Sequence, residues 1–269
     1  MKFLVSLKRW AVWLLVASLF AVACVYLSQW QFSRRAEAVA KIELVSANYD
    51  RDPVALEKLA TLQGFDPANE WRPASITGHY LSDKAVLVRN RPYNGQPGFL
   101  QVVPFELLNG QILAVETGWL PTGSKQDSPD FLPVPDDSER ELVVRLRAVE
   151  PTLGRDAPAM QLGTINVETL IRKTNLSGEV YRQVYGRATT TYATTELPKL
   201  LPKPDLNEGN HLSYALQWIL FALMAFAALW WAIRQELQIK RKATDPSYSP
   251  KIRRKVGDAD KAAEDALLS

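Results

Sequence analysis

The sequence predicts a membrane α+β protein in which two transmembrane helices flank an extracytoplasmic, mostly antiparallel β domain, either a small barrel or a sandwich. Three observations lead there. Two apolar runs lie near the ends of the 269-residue chain, each about the 20 residues that a helix needs to cross a bilayer core. Short Lys/Arg-rich flanks lie on the terminal side of each run. Between them, short stretches rich in β-branched and aromatic residues alternate with turn signals. The implied order is a cytoplasmic N-terminal tail (1–9), a first transmembrane helix (10–31), an extracytoplasmic β-rich domain with a helical lead-in (32–210), a second transmembrane helix (211–233) and a disordered basic cytoplasmic tail (234–269).

The first apolar run extends from Trp10 to Trp30, and Lys2, Lys8 and Arg9 precede it. The second, Leu212 to Ile233, is followed by Arg234, Lys240, Arg241 and Lys242. Positive charge collects on the cytoplasmic side of short flanks, so both termini read as cytoplasmic and the chain as multi-pass in the plasma membrane. Arg34 and Arg35 oppose this rule, but a large translocated loop is less bound by it than two short tails. "AVAC" (Ala21–Cys24) offers a signal-peptidase pattern. The chain stays apolar beyond it, through Val25, Leu27, Trp30 and Phe32, which favours a retained anchor.

Past the first run, "QFSRRAEAVAKIELVSANYD" holds helix formers and no breaker, so the helix continues outward. Asp52-Pro53 resembles a cap with Pro in first place and predicts a short amphipathic helix over "PVALEKLA", ended by Gly64 and Pro67. Strands are expected in "RPASITGHYL", "KAVLVRNRP", "FLQVVPFEL", "QILAVETGWL" and "RELVVRLRAV". Asn94-Gly95, Asn109-Gly110 and the Pro-rich "PDFLPVPDDS" separate them. "ILAVETGW" alternates only in part, while "VVRLRAV" does so well. "INVETLIRKTN" predicts a helix and "EVYRQVYG" one more strand. The polar tail after Glu236 reads as disordered, and its basic cluster at Lys251–Lys255 suits anionic headgroups.

Composition excludes several chemistries. The net charge of +3 is mild and concentrated in the tail, so no nucleic-acid partner is expected. Cys24 is the single cysteine, which rules out an intramolecular disulfide or a paired-thiol site. His79 and His211 are the only histidines, too few for a multi-His metal centre. "GWLPTGSK" fails as a phosphate loop because Ser124 separates Gly123 from Lys125. Asp136 and Asp137 sit in a Pro-rich turn, "NLS" at Asn175–Ser177 is a bare glycosylation pattern, and no hydrolase or metalloprotease signature occurs. No enzyme is expected.

His211 stands apart from His79, which reads as a strand-rim residue. On a helix, His211, Tyr214, Ala215, Trp218 and Ala222 share a face. That places a nitrogen ligand at the outer membrane interface between aromatic rings, an arrangement that suits a planar cofactor such as haem with His211 on the iron. Interfacial preference of His, Tyr and Trp accounts for the same residues without any ligand.

Four motifs in order resemble the SURF1 family, the membrane-anchored assembly factors of haem–copper cytochrome oxidases. "LSQWQFSRR" (Leu27–Arg35) resembles its signature at the outer end of the first span. "ITGHYL" with "VLVRNRPYNGQPGFLQVVPFEL" resembles its central block, and "GQILAVETGWLPTG" its Gly-Trp-x-Pro strand. "NHLSYALQW" resembles the closing motif on the last helix, with "LPKPDLNEGNHLSYALQWILFA" similar to the actinobacterial branch. Ser28 replaces a preferred Gly, Ala38 a frequent Lys, and Thr117 an expected Arg. The resemblance implies a chaperone of the respiratory chain that helps place haem a in the catalytic subunit. The implied cofactor is haem a, held transiently with His211 on its iron and expected between the two helices near the outer face. Tyr214 and Trp218 come from the helix face, and Trp30 and Gln31, at the same membrane level on the first helix, either complete the pocket or serve as interfacial anchors. The implied partners are cytochrome c oxidase subunits, haem a synthase and the lipid bilayer. Two alternatives stand beside it: a structural adaptor that never touches haem, and a partner of envelope polymer synthesis, against which the lack of long heptads outside the membrane tells.

Overall fold

The structure is a computed structural model that describes residues 2–124, 127–154, 157–192 and 198–245. Its residues divide into two compact units, one formed by the chain ends (1–37 and 209–269) and one by residues 38–208.

The terminal unit is a pair of helices. Helix α1 (Lys2–Asn48) continues beyond this unit without a break, as the run of helix formers predicts. Its partner, here α3, is His211–Thr244. Both are long and apolar enough to cross a membrane. Leu14, Leu15, Leu19, Val22 and Val25 on α1, and Leu216, Leu220, Leu223 and Trp231 on α3, are each more than half exposed. A helix apolar on its outer face is stable in lipid rather than in water, which is consistent with a membrane protein.

The inward face is made of small residues. On α1 the shielded positions include Ala17, Ala21, Cys24, Ser28 and Gln31; on α3 they include His211, Ala215, Trp218, Ala222, Ala225, Leu229, Ala232 and Glu236. Steps of four and three alternate along both, a 3.5-residue repeat that keeps one seam facing its neighbour. Cys24, Ser28 and Ala215 are the most deeply buried, at 1%, 4% and 0% exposure. Small side chains let the backbones approach closely where lipid supplies no hydrophobic drive. Polar ties close both ends, an Arg9–Glu236 ion pair and a His211–Gln31 hydrogen bond. From Arg9 to Gln31 the helix rises about 33 Å, close to the roughly 30 Å of a bilayer core. The charged stretch 234–244 is helical, not disordered: no breaker precedes Pro246, and Lys240 pairs with Glu236 at i,i+4. Residues 246–269, with the Lys251–Lys255 cluster, lie outside the described residues.

The central unit is a barrel. Its strands are β1 (Val54–Ala55), β2 (Pro73–Tyr80), β3 (Val86–Val88), β4 (Gly98–Leu107), β5 (Gln111–Pro121), β6 (Arg140–Ala148), β7 (Gln161–Leu162), β8 (Glu179–Val180) and β9 (Val184–Ala188). The ring runs β2–β6–β9–β5–β4 and closes because β2 also pairs with β4. All its pairs are antiparallel except β5–β9. Five strands dictate such an exception: each antiparallel pair reverses direction, so an odd ring closes only with an odd number of parallel pairs, here one.

Gly78 makes the closing corner. It pairs with Arg140 on β6 and with Leu107 on β4, and a Cβ there would lie 1.9 Å from the Glu106 carbonyl oxygen. Opposite the Gln101–Val102 step, β5 carries one extra residue, Thr117, in a β-bulge. The interior holds Ala74, Ile76, Val103, Phe105, Val115, Val144 and Leu146. A second core, built on Val88, Val102, Trp119, Leu162 and Tyr185, packs helix α2 (Val167–Thr174) through Leu170. Asn166 caps that helix by accepting from the Thr169 amide at 3.0 Å, and Asn175 of "NLS" ends it in the left-handed region.

The helix expected over "PVALEKLA" does not form. Val54–Ala55 pair in parallel with β2, and Leu56–Lys58 make one 3-10 turn that buries Leu56. So short a segment is a poor helix by itself, and the β2 edge offers its backbone partners. The Asp-Pro cap acts one loop later, where Asp66 accepts from the Ala68 amide at 2.9 Å ahead of Pro67–Asn69. "EVYRQVYG" divides into β8 and β9, of which β9 enters the ring.

Candidate functional site

His211 is the first residue of α3, and the seam turns its ring toward α1. Its Nδ1 lies 2.9 Å from Gln31 Oε1. A carboxamide oxygen only accepts, so in this pairing Nδ1 is the donor, and a neutral ring so paired would present the Nε2 lone pair. That is the tautomer of a metal-binding imidazole, oriented by a hydrogen bond at the other nitrogen. One neutral nitrogen at the end of a membrane helix fits a single axial bond to haem iron, and the donor chemistry needs no second ligand.

Of the residues named from sequence, the structure joins His211 and Gln31 directly. Trp218 lies half-buried along the same seam, one ring edge against Phe221 at 5.8 Å. Tyr214 and Trp30 are half exposed, at 50% and 52%. Tyr214 therefore leaves the face it was expected to share with His211 and Ala215: a 3.5-residue seam takes the i+4 position, Ala215, and turns i+3 outward. Buried Ser28 and Ala215 close the seam one turn below the histidine, so a macrocycle on His211 would not lie between the helices at that level. The exposed rings are those of Trp30 and Tyr214.

The three departures have structural places. Ser28 is small enough for the seam. Ala38 lines a cleft of about 490 Å³ with Lys41, Val45, Trp71, Arg147 and Leu206. Thr117 is 1% exposed, and its hydroxyl donates to Gln101 Oε1 at 2.8 Å, so this position faces inward rather than toward a partner. His79 is a surface residue, 3.7 Å from Glu106. Among the described residues no cluster of three or more His, Cys, Asp or Glu could hold a metal.

Sequence reasoning missed a layer of charge on the outer wall of β5, β9 and β6. Arg147 stacks on Trp71 at 4.0 Å, with Arg187 at 5.2 Å, and Arg145 stacks on Tyr49 at 3.7 Å. Trp71 holds φ at 70°, a costly conformation for a bulky residue, while its amide donates to Leu146 at 2.7 Å. Glu116, 1% exposed, sits 2.9 Å from Arg187, but the N–H is not aimed at the carboxylate and neither oxygen has a hydrogen bond. Burial pushes its carboxyl up, against the pull of Arg187, Arg147 and Arg91. At Glu150 burial also pushes up, but the Arg91 guanidinium and the Ile165 amide outweigh it and hold the group low. The signal was present: a glutamate breaks the apolar pattern of "ILAVETGW", and "RLR" puts Arg145 and Arg147 on the side opposite Val144 and Leu146.

Comparison with known proteins agrees with this architecture. The sequence profile of the SURF1 family matches residues 18–223. An uncharacterized SURF1-like protein of Mycobacterium bovis is 27% identical over 250 residues, covering 90% of this chain and 89% of the relative. Uncharacterized SURF1-like proteins from two strains of Mycobacterium tuberculosis match to the same extent. With two long apolar helices flanking a β barrel and a profile match over most of its length, the chain belongs to the SURF1 family, which is generally associated with cytochrome c oxidase assembly.

Proposed function

We propose that the protein is a biogenesis factor for haem–copper cytochrome c oxidase that aids delivery of haem a to, or its insertion into, the catalytic subunit. It sits in the plasma membrane with both termini cytoplasmic and the barrel outside, beside oxidase subunits and haem a synthase. It makes and breaks no bond in its cargo. His211 supplies one axial nitrogen, Gln31 orients its ring, and the exposed rings of Trp30 and Tyr214 offer aromatic contact. A single axial ligand suits a carrier that must let go. The observation that carries this reading is the His211–Gln31 bond at the end of a helix pair that belongs to an oxidase-assembly family.

The test is a titration of the purified full-length chain in detergent with haem, read in the Soret band. The wild type saturates with the Soret band of a five-coordinate, histidine-ligated haem, His211→Ala loses that band, and Gln31→Ala weakens binding by about 10–100-fold. Equal binding by wild type and His211→Ala overturns the assignment. A second reading, an adaptor that stabilises an assembly intermediate without touching haem, draws on the seam closed by Ala215 and Ser28. It expects His211→Ala to support full oxidase assembly.

A further inference from the structure

The connection between β5 and β6 presents three large apolar side chains to solvent: Phe131 is 61% exposed, Leu132 42% and Val134 50%. On a loose loop such residues would be unremarkable, but this backbone is pinned. Pro133 and Pro135 are buried on either side of Val134. The Pro133 carbonyl accepts from the side-chain carboxamide of Gln101, a residue 0% exposed, and from the Tyr192 hydroxyl at 2.8 Å. The Pro135 carbonyl accepts from Ser82. Gln101 is oriented in turn by Thr117 at 2.8 Å and by Tyr192 at 2.7 Å, whose one proton is shared with Pro133. Farther out, Asp130 accepts from the Ser124 amide at 3.0 Å. A buried polar network thus holds this segment in place with its apolar side chains facing out.

The surroundings decide what such a ridge suits. Around the ridge lie Asp127, Asp130, Asp136, Asp137 and Glu139; Asp127 pairs with Arg89 and Asp136 with Arg140, and the balance of these seven groups is acidic. A carboxylate-ringed apolar ridge is repelled by an anionic bilayer surface and attracted to the opposite pattern on a protein. Ordering costs that oppose association have already been met in the free chain. An exposed aromatic between aliphatic neighbours makes an anchor. We propose that Phe131, Leu132 and Val134 dock into an apolar cleft with a basic rim on a partner protein. The partner's place in oxidase assembly rests on the reading above; the contact itself does not.

The test places photoreactive benzoylphenylalanine at Phe131 in the full-length chain in its native membrane, and at Leu108, 69% exposed, as control. The expected product is one protein adduct at 131 and none at 108, with Lys or Arg in the crosslinked peptide of the partner. Its yield falls several-fold in high salt and in the Asp137→Lys/Glu139→Lys variant. Lipid adducts alone, adducts to a second copy of this chain, or equal yield at both positions overturn the proposal. In parallel, Phe131→Ser/Leu132→Ser/Val134→Ser is expected to keep wild-type abundance and melting temperature while losing a-type haem from membranes. Full a-type haem in that variant, where the deletion strain has none, overturns the docking role. A deletion strain that keeps its a-type haem overturns the assembly reading instead, and the crosslink still decides the ridge.

Discussion

Gly78 shows how much one missing Cβ decides. β2 leaves β6 and takes up β4 at this residue, and the barrel closes only because the two backbones meet with no side chain between them. Gly78→Ala would push a methyl group into the Glu106 carbonyl at 1.9 Å, against main chain that cannot swing aside. We expect a loss of about 3 kcal/mol, measured as a lower denaturation midpoint of the detergent-solubilised chain. Gly95→Ala, in open space, is the comparison that separates packing from helix or turn preference, although its φ of 77° adds its own strain. An unchanged midpoint for Gly78→Ala would mean that β2 and β4 are not paired there. The same scale explains what could be read beforehand. His211 was legible because one of only two histidines opens an apolar span. Its tautomer was not, since Gln31 lies far away in sequence and only the fold brings the carboxamide to Nδ1. Thr117 stands where an Arg was expected, and sequence does not reveal the β-bulge at which this residue is buried.

At the scale of elements, strands announced themselves through β-branched runs and turn residues, whereas their closure did not. Hydrophobic pattern reports which face is buried, but the ring depends on the β2–β4 and β5–β9 pairings, which are remote in sequence. The helix seam was hidden for a related reason: hydropathy barely separates Ala from Leu, so an apolar span conceals a small-residue stripe. β5 carries the clearest conflict between pattern and function, a carboxylate in a strand otherwise wholly buried. Glu116 has a folded-state pKa raised from 4.5 chiefly by burial. The folded state therefore favours its proton, so its stabilising contribution is complete below about pH 4.5 and is lost as pH rises through the raised value. Glu150 runs the other way: its pKa is lowered, and its contribution disappears as pH falls. Glu116→Gln isolates the first effect. Melting curves in detergent from about pH 4.5 to about pH 8 should show the variant gaining on wild type as pH rises. A constant difference would place the Glu116 carboxylate in a solvated or fully paired setting.

Across the whole molecule, the parts divide the work. The helix pair carries a histidine whose free nitrogen is set by Gln31. The barrel closes at Gly78 and carries an apolar ridge whose backbone is held by hydrogen bonds to Pro133 and Pro135. On the reading proposed above, His211 would hold the cofactor and the ridge would meet a partner protein. The most direct measurement is the reduced-minus-oxidised visible spectrum of membranes from cells lacking the protein, from cells with wild type restored, and from cells with His211→Ala at equal abundance. The account predicts loss of the a-type band in the deletion with b- and c-type bands kept, its return with wild type, and a much smaller return with His211→Ala. An undiminished a-type band in the deletion strain would contradict a role in oxidase assembly, and full recovery by His211→Ala would leave the assembly role standing without the haem ligand.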